Sequence, residues 1–167
     1  YIPMALLEKR FIMSWLLLWL LPGCSQKLDP PVIDILLYIE ADSESGNFSR
    51  NAILPISNIS IPIFPQPVFT SADMKFVEIV DSDCGKCLMI TLSERAGYEL
   101  YKISIDSINN RLVLVVNGQV VGFSVIDHGI SDGTILVFVE MKSRDLESMA
   151  LDINKTITKV HRLKKER

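Results

Sequence analysis

In the second half of the chain the apolar positions keep the period of strands, interrupted twice by the period of a helix. Residues 75–80 (KFVEIV) and 87–92 (CLMITL) read as two strands joined by residues 81–86. Ser93 then caps a helix over residues 93–104, in which Ala96, Leu100 and Ile103 recur at i, i+4 and i+7 and define one buried face. Residues 112–116 and 119–126 flank Asn117-Gly118. That pair is the strongest short hairpin signal, because both turn positions need positive φ. Asp132-Gly133 starts a further tight turn into a strand over residues 135–141. Ser143 caps a last helix, where Leu146, Ala150, Ile153, Ile157 and Val160 follow at intervals of 4, 3, 4 and 3. β-Branched residues also cluster in 156–163, which competes as a strand. The sustained stripe favours a helix that frays after about residue 160.

The first half is less regular. Residues 32–40 (VIDILLYIE) read as a strand and residues 41–51 as a polar loop. Residues 53–63 alternate Ile with Ser, Asn and Pro. They have strand period, but Pro55 and Pro62 place them at a sheet edge, since proline cannot donate to a ladder. Phe64-Pro65-Gln66-Pro67 breaks structure, and Thr70-Ser71-Ala72-Asp73 can cap one short turn. From residue 70 the order is strand, strand, helix, strand, strand, strand, helix. It predicts an α+β fold: an antiparallel sheet with two helices on one face, preceded by a proline-interrupted β segment.

Residues 11–21 (FIMSWLLLWLL) are nearly all apolar and hold both tryptophans of the chain. Glu8-Lys9-Arg10 precedes them and Pro22-Gly23-Cys24-Ser25 follows. A short charged start, an apolar stretch and a small residue at the cut describe an export signal. The stretch is shorter than the ~20 residues of a membrane span. A leucine three positions before a cysteine, with a small residue directly before it, resembles the lipobox read by bacterial lipoprotein signal peptidase. Cleavage is then expected between Gly23 and Cys24, with Cys24 carrying the lipid and Met4 the better start than Tyr1. Two or three acyl chains, at ~0.8 kcal/mol per buried methylene, hold a protein durably at a membrane.

Charge sharpens this picture. The whole chain carries −3, of which residues 8–10 contribute +1. Residues 155–167 hold six basic side chains against Glu166, a net +5, so the body over residues 24–154 carries −9. The tail reads as a solvated helix end, or as a contact for anionic lipid near the anchor. An acidic body gives no electrostatic case for nucleic acid. Three cysteines are too few for a disulfide scaffold, and two histidines rule out a His-rich metal site.

One segment resembles a known family. Residues 70–154 are similar to the head subdomain of the first periplasmic domain of SecD, a subunit of the bacterial preprotein translocase. Small verrucomicrobial-type lipoproteins of unknown role carry a similar pattern behind a similar leader. The matching stretches are Thr70 to Met74 (TSADM), residues 88–94 (LMITLSE), residues 111–121 (RLVLVVNGQVV) and Val125-Ile126 followed by Ile130 to Gly133 (ISDG). The last is residues 143–150 (SRDLESMA). The chain departs from the family at Phe123-Ser124, where Ala-Pro is usual, and at Asp132-Gly133, where the turn is Gly-Gly. No second apolar run reaches membrane length, so the coupling bundle of the translocase is not in this sequence. The resemblance implies a polypeptide-handling head on a lipid leash. It divides the chain into a signal peptide (1–23), a tether (24–31), an N-terminal β segment with loops (32–69) and a SecD-head-like domain with a basic tail (70–167).

Two constellations bear on chemistry. Cys84-Gly85-Lys86-Cys87 is a Cys-x-x-Cys motif, which supports either a local disulfide or a thiol-redox pair. Redox use needs the first thiol at a helix N-terminus, whereas this pair falls on a turn between strands. Asp127-His128 with Asp132 reads as solvated turn residues, because no partner motif completes a site. The expected function is therefore a non-enzymatic, lipid-anchored periplasmic module that binds a protein or unfolded polypeptide. No cofactor, metal, nucleic acid or small-molecule substrate is expected. The redox lipoprotein is the alternative.

Overall fold

The computed structural model describes residues 32–41, 49–83 and 85–166. Gly23, Cys24 and Cys84 lie outside them. The element order is β1 (Ile35–Ile39), β2 (Arg50–Ile53), β3 (Ser60–Ile63), β4 (Phe69–Thr70), β5 (Met74–Ser82), β6 (Gly85–Leu92), α1 (Glu94–Asp106), β7 (Arg111–Val116), β8 (Gln119–Val125), β9 (Thr134–Val139) and α2 (Ser143–Lys165). Seven strands form one sheet in the order β4-β1-β7-β8-β9-β6-β5, with every neighbour antiparallel. This is the α+β class that the element order predicts.

Several local readings hold because their chemistry is local. Asn117 and Gly118 take φ of 50° and 76°, which lets β7 and β8 meet through a two-residue turn. The Ser93 Oγ accepts the Ala96 N–H and caps α1. The 70–73 turn is closed in both directions. Asp73 Oδ2 accepts from the Thr70 N–H (2.9 Å) and Oγ (3.0 Å), while the Asp73 N–H donates to the Thr70 carbonyl (3.0 Å).

Other readings need correcting. Residues 53–63 are not one strand. Pro55 sits in the turn between β2 and β3, which pair as a separate two-stranded sheet with Asn51 opposite Pro62. Asn58 at φ 56° completes the reversal. The 81–86 connection is shorter than expected, because β5 runs to Ser82 and β6 starts at Gly85, whose φ of 113° suits only glycine. Ser143 is the first helical residue of α2 rather than its cap. Lys142 holds the cap position without a side-chain bond. The helix does not fray at 160 but continues to Lys165, because His161 is held by a backbone carbonyl of the sheet.

The core lies between the helices and one sheet face, built on Leu37, Leu88, Ile90, Leu112, Leu114, Ile135 and Val137, with Leu100 from α1 and Leu146, Ile153 and Ile157 from α2. A second, smaller cluster lies on the other face. There Ala52, Leu54, Ile61 and Ile63 of the β2–β3 hairpin pack on Tyr38, Val113 and Val115. The two covers explain why β1 and β7 read as continuous apolar runs: both of their faces are buried. Two polar contacts pin this hairpin. Glu140 Oε2 accepts the N–H groups of Ile56 (2.9 Å) and Ser57 (3.0 Å). At the other end of the hairpin, Arg111 donates from its backbone N–H (3.0 Å) and Nε (2.8 Å) to Glu40, with Nη2 completing a fork, and Glu40 pairs with Ile63 in a β-bridge. The side-chain bond to Glu40 raises the Arg111 pKa above its ordinary value.

The sheet's two outer strands, β4 and β5, are joined by the short 71–73 turn, so the sheet curls. Helix α2 lies in the seam. On one side Asn154 Oδ1 accepts the Val77 N–H (2.8 Å) and Asn154 Nδ2 donates to the Val77 carbonyl (2.7 Å). One and two turns further on, Ile157 enters the core and His161 Nε2 meets the Met74 carbonyl at 2.7 Å. On the other side the Ile33 N–H donates to Thr156 Oγ1 (3.2 Å) just before β1. At the β5 edge the helix therefore does what a further strand would do.

Candidate functional site

Helix α1 has two apolar sides. The buried side is Ala96, Leu100 and Ser104, with Ile103 half-buried against the core. The opposite side carries Tyr98, Tyr101 and Ile105, and Ile108 continues it just past the helix end, at intervals of 3, 4 and 3. Their exposures are 63%, 41%, 47% and 47%. A stripe with this spacing is one face of a helix, and here it looks outward. Lys102 reaches over the Tyr98 ring at 4.3 Å from its centroid and pairs with Glu99 at 3.4 Å.

The loop before β9 lies along this stripe. Ser104 fastens it: its Oγ donates to the Tyr101 carbonyl (2.9 Å) and accepts the Ile130 N–H (2.8 Å). Gly97 and Gly133 touch through their backbones, so a Cβ on Gly97 would sit 3.3 Å from the Gly133 Cα. Lys75, Ser93, Glu94, Tyr98, Tyr101 and Asp132 line the groove left between helix and loop, a space of about 540 Å³. That size suits a side chain or a short peptide segment. The walls offer aromatic faces and both signs of charge. They offer no arrangement of nucleophile, base and orienting partner.

The residues singled out from sequence do not converge on this groove. Cys24, Gly23 and Cys84 are outside the described residues. Cys87 lies in β6, 1% exposed, with Sγ 3.2 Å from Ser82 Oγ and 3.7 Å from the Gly85 carbonyl. Asp127 and His128 contact each other in solvent. Asp132 accepts the Thr134 N–H at 3.0 Å, a local turn bond, while also bordering the groove. Among the described residues no group of three or more His, Cys, Asp or Glu side chains is placed to hold a metal ion. Also among them, no helix is long and apolar enough to cross a membrane.

In the sequence Tyr98 and Tyr101 flank the buried stripe of the helix and read as packing residues or a partner face, with packing favoured; the structure exposes both, and their continuation through Ile105 and Ile108 was missed although the spacing was readable. Sequence reasoning also missed Ser104, Asn154 and Thr156. A polar residue beside a buried helix stripe was the available signal for those.

Among solved structures the chain is similar to a crystal structure of SecDF in its super-membrane-facing form. The TM-score is 0.57 and the identity 14%, over 75% of this chain and 19% of that one. It is also similar to a structure described as that of the membrane component SecDF that enhances protein export. There the TM-score is again 0.57 and the identity 16%, over 81% of this chain and 71% of that one. No protein-family model matches the chain, and no curated protein does. The fold is therefore SecD-like, as residues 70–154 led us to expect. The likeness extends beyond that segment to at least three quarters of the chain, while the chain spans about a fifth of the first structure.

Proposed function

We propose that this chain is a lipid-anchored, non-enzymatic module on the periplasmic side of the bacterial envelope. It binds a protein partner or an unfolded polypeptide during envelope protein transport or assembly. The observation that carries this reading is the outward stripe Tyr98, Tyr101, Ile105 and Ile108 beside the groove, on a SecD-like scaffold. Aromatic and aliphatic side chains at helical spacing offer area to apolar segments of varied sequence, which suits a client that is not yet folded. The SecDF structure whose description speaks of enhanced protein export supports a role related to export. The lipobox at Gly23-Cys24 supports anchoring through Cys24, with residues 24–31 as tether.

The alternative, a thiol-redox lipoprotein using Cys84 and Cys87, has weaker support. Cys87 is buried within strand β6, whereas a reactive thiol of this motif belongs at the start of a helix.

The test is crosslinking in intact cells. A photoreactive residue at Tyr98 or Tyr101 should capture polypeptide, and the same residue at Glu147, on exposed α2 surface, should not. Equal capture at the two places, or none, counts against the reading.

A further inference from the structure

We infer that the outward face of the last turns of α2 rests on an anionic lipid surface. Ile153, Thr156 and Ile157 turn this part of the helix to the core. Lys155, Lys159, Arg162 and Lys165 follow at intervals of 4, 3 and 3 on the opposite side, within roughly a third of the helix circumference. Lys155 is paired with Asp152 at 3.0 Å, and Leu163, 47% exposed, borders the row. A basic row with an apolar neighbour on a helix surface is the pattern that anionic headgroups attract.

The path of the chain selects a membrane over other anionic partners. The Ile33 N–H is bonded to Thr156 Oγ1, so the chain that leads back to Cys24 meets the fold at the core side of the helix, nine residues before its end. Nine residue-to-residue steps lead from Cys24 to Ile33, at most ~32 Å when extended. From Thr156 to Lys165 the helix advances only ~14 Å. A lipid on Cys24 therefore leaves the basic row within reach of the same bilayer. The −9 body makes the opposite orientation unfavourable against anionic lipid. The inference takes its orientation from the anchor proposed above, and its test separates the two.

The full lipidated chain is placed with vesicles of phosphatidylcholine alone, or with about a third phosphatidylglycerol. Flotation on the neutral vesicles reads the anchor. Amide hydrogen exchange over residues 158–166 reads the basic row. We expect protection there to rise only on the phosphatidylglycerol vesicles and to fall as salt is raised. The double variant R162Q/K165Q should weaken that association roughly thirty-fold, at about 1 kcal/mol for each basic residue lost. Equal protection on both vesicles, or no effect of the double variant, overturns the inference even if the chain floats. Protection without lipid that grows with protein concentration would assign the row to the acidic body of a second copy, and also overturns it. If the chain fails to float on neutral vesicles but shows anionic-dependent protection, the anchor fails and the basic row stands.

Discussion

Asn154 on α2 satisfies both backbone polar groups of Val77 on β5, accepting its N–H at 2.8 Å and donating to its carbonyl at 2.7 Å. A primary amide is the side chain that reproduces the donor and acceptor of a neighbouring strand. Replacing it with alanine leaves both groups of Val77 without that partner. Asn154→Ala is expected to lower stability by ~1–3 kcal/mol in urea unfolding. It should also promote association through the opened edge, seen as a concentration-dependent rise in light scattering. Asn154→Asp keeps the acceptor but loses the donor to the Val77 carbonyl, so it should not restore the wild-type midpoint.

Gly122 tests the close approach of β8 and β9. A Cβ there would lie 2.0 Å from the Phe138 carbonyl oxygen, closer than any packing allows. Gly118 at φ 76° has open space around the same atom and meets only backbone strain. We expect Gly118→Ala to cost ~1 kcal/mol. Gly122→Ala should cost on the order of 4 kcal/mol or prevent folding. Thermal unfolding of the two variants side by side checks the ranking.

The β2–β3 hairpin is held on the sheet mainly by Leu54 and Ile61, both fully buried. Ile61→Ala is expected to lose ~2–5 kcal/mol by urea unfolding, as for other large core deletions. Exposed Ile53 and Ile56, 57% and 67% accessible, should tolerate the same change with little loss.

The hairpin tip adds a pH dependence. Burial pushes the Glu140 pKa up, but bonds from the Ser57 side chain and from the Ser57 and Ile56 N–H groups outweigh it and hold the carboxyl below its ordinary value. A lowered folded pKa means stability that is present above the unfolded value, ~4.3, and is lost as pH falls through the folded one. Exchange of the Ile56 and Ser57 amides should therefore quicken below about pH 4 relative to the core strands, after correction for intrinsic rates. In Glu140→Gln that acid-dependent step should be much reduced.

Exposed aromatic residues give the complementary case. Tyr98→Ala and Tyr101→Ala together should change the unfolding free energy by no more than ~0.5 kcal/mol per site, since Tyr98 is mostly solvent-facing and Tyr101 partly so. The same pair should lower client crosslinking captured from a neighbouring photoreactive position at Ile105.

What could be read from the sequence follows the range of the interactions. The Asn117-Gly118 turn, the Ser93 cap and the apolar stripe of α2 depend on residues a few positions apart, and each was legible. The hairpin of β2 and β3 was read as a single strand because Ile recurs on both sides of Pro55. Only the pairing of Asn51 with Pro62 reveals the reversal. The continuity of VIDILLYIE hinted at burial on both faces, but not at which elements supply the second cover. Likewise Asn154 and Thr156 read as mere interruptions of a helix stripe. Their partners are 77 and 123 positions away, beyond any local pattern. The groove on α1 was written in the spacing of Tyr98, Tyr101, Ile105 and Ile108, but exposure decides whether such a stripe is core or surface, and exposure is a property of the fold.

Helix α2 follows every strand in sequence, and it is the element that closes the curled sheet. A chain made from its N-terminus therefore carries an unsealed edge at β5 until α2 is available. A product truncated before residue 154 would lack the amide that seals Val77, and it would present an open sheet edge that invites capture or degradation.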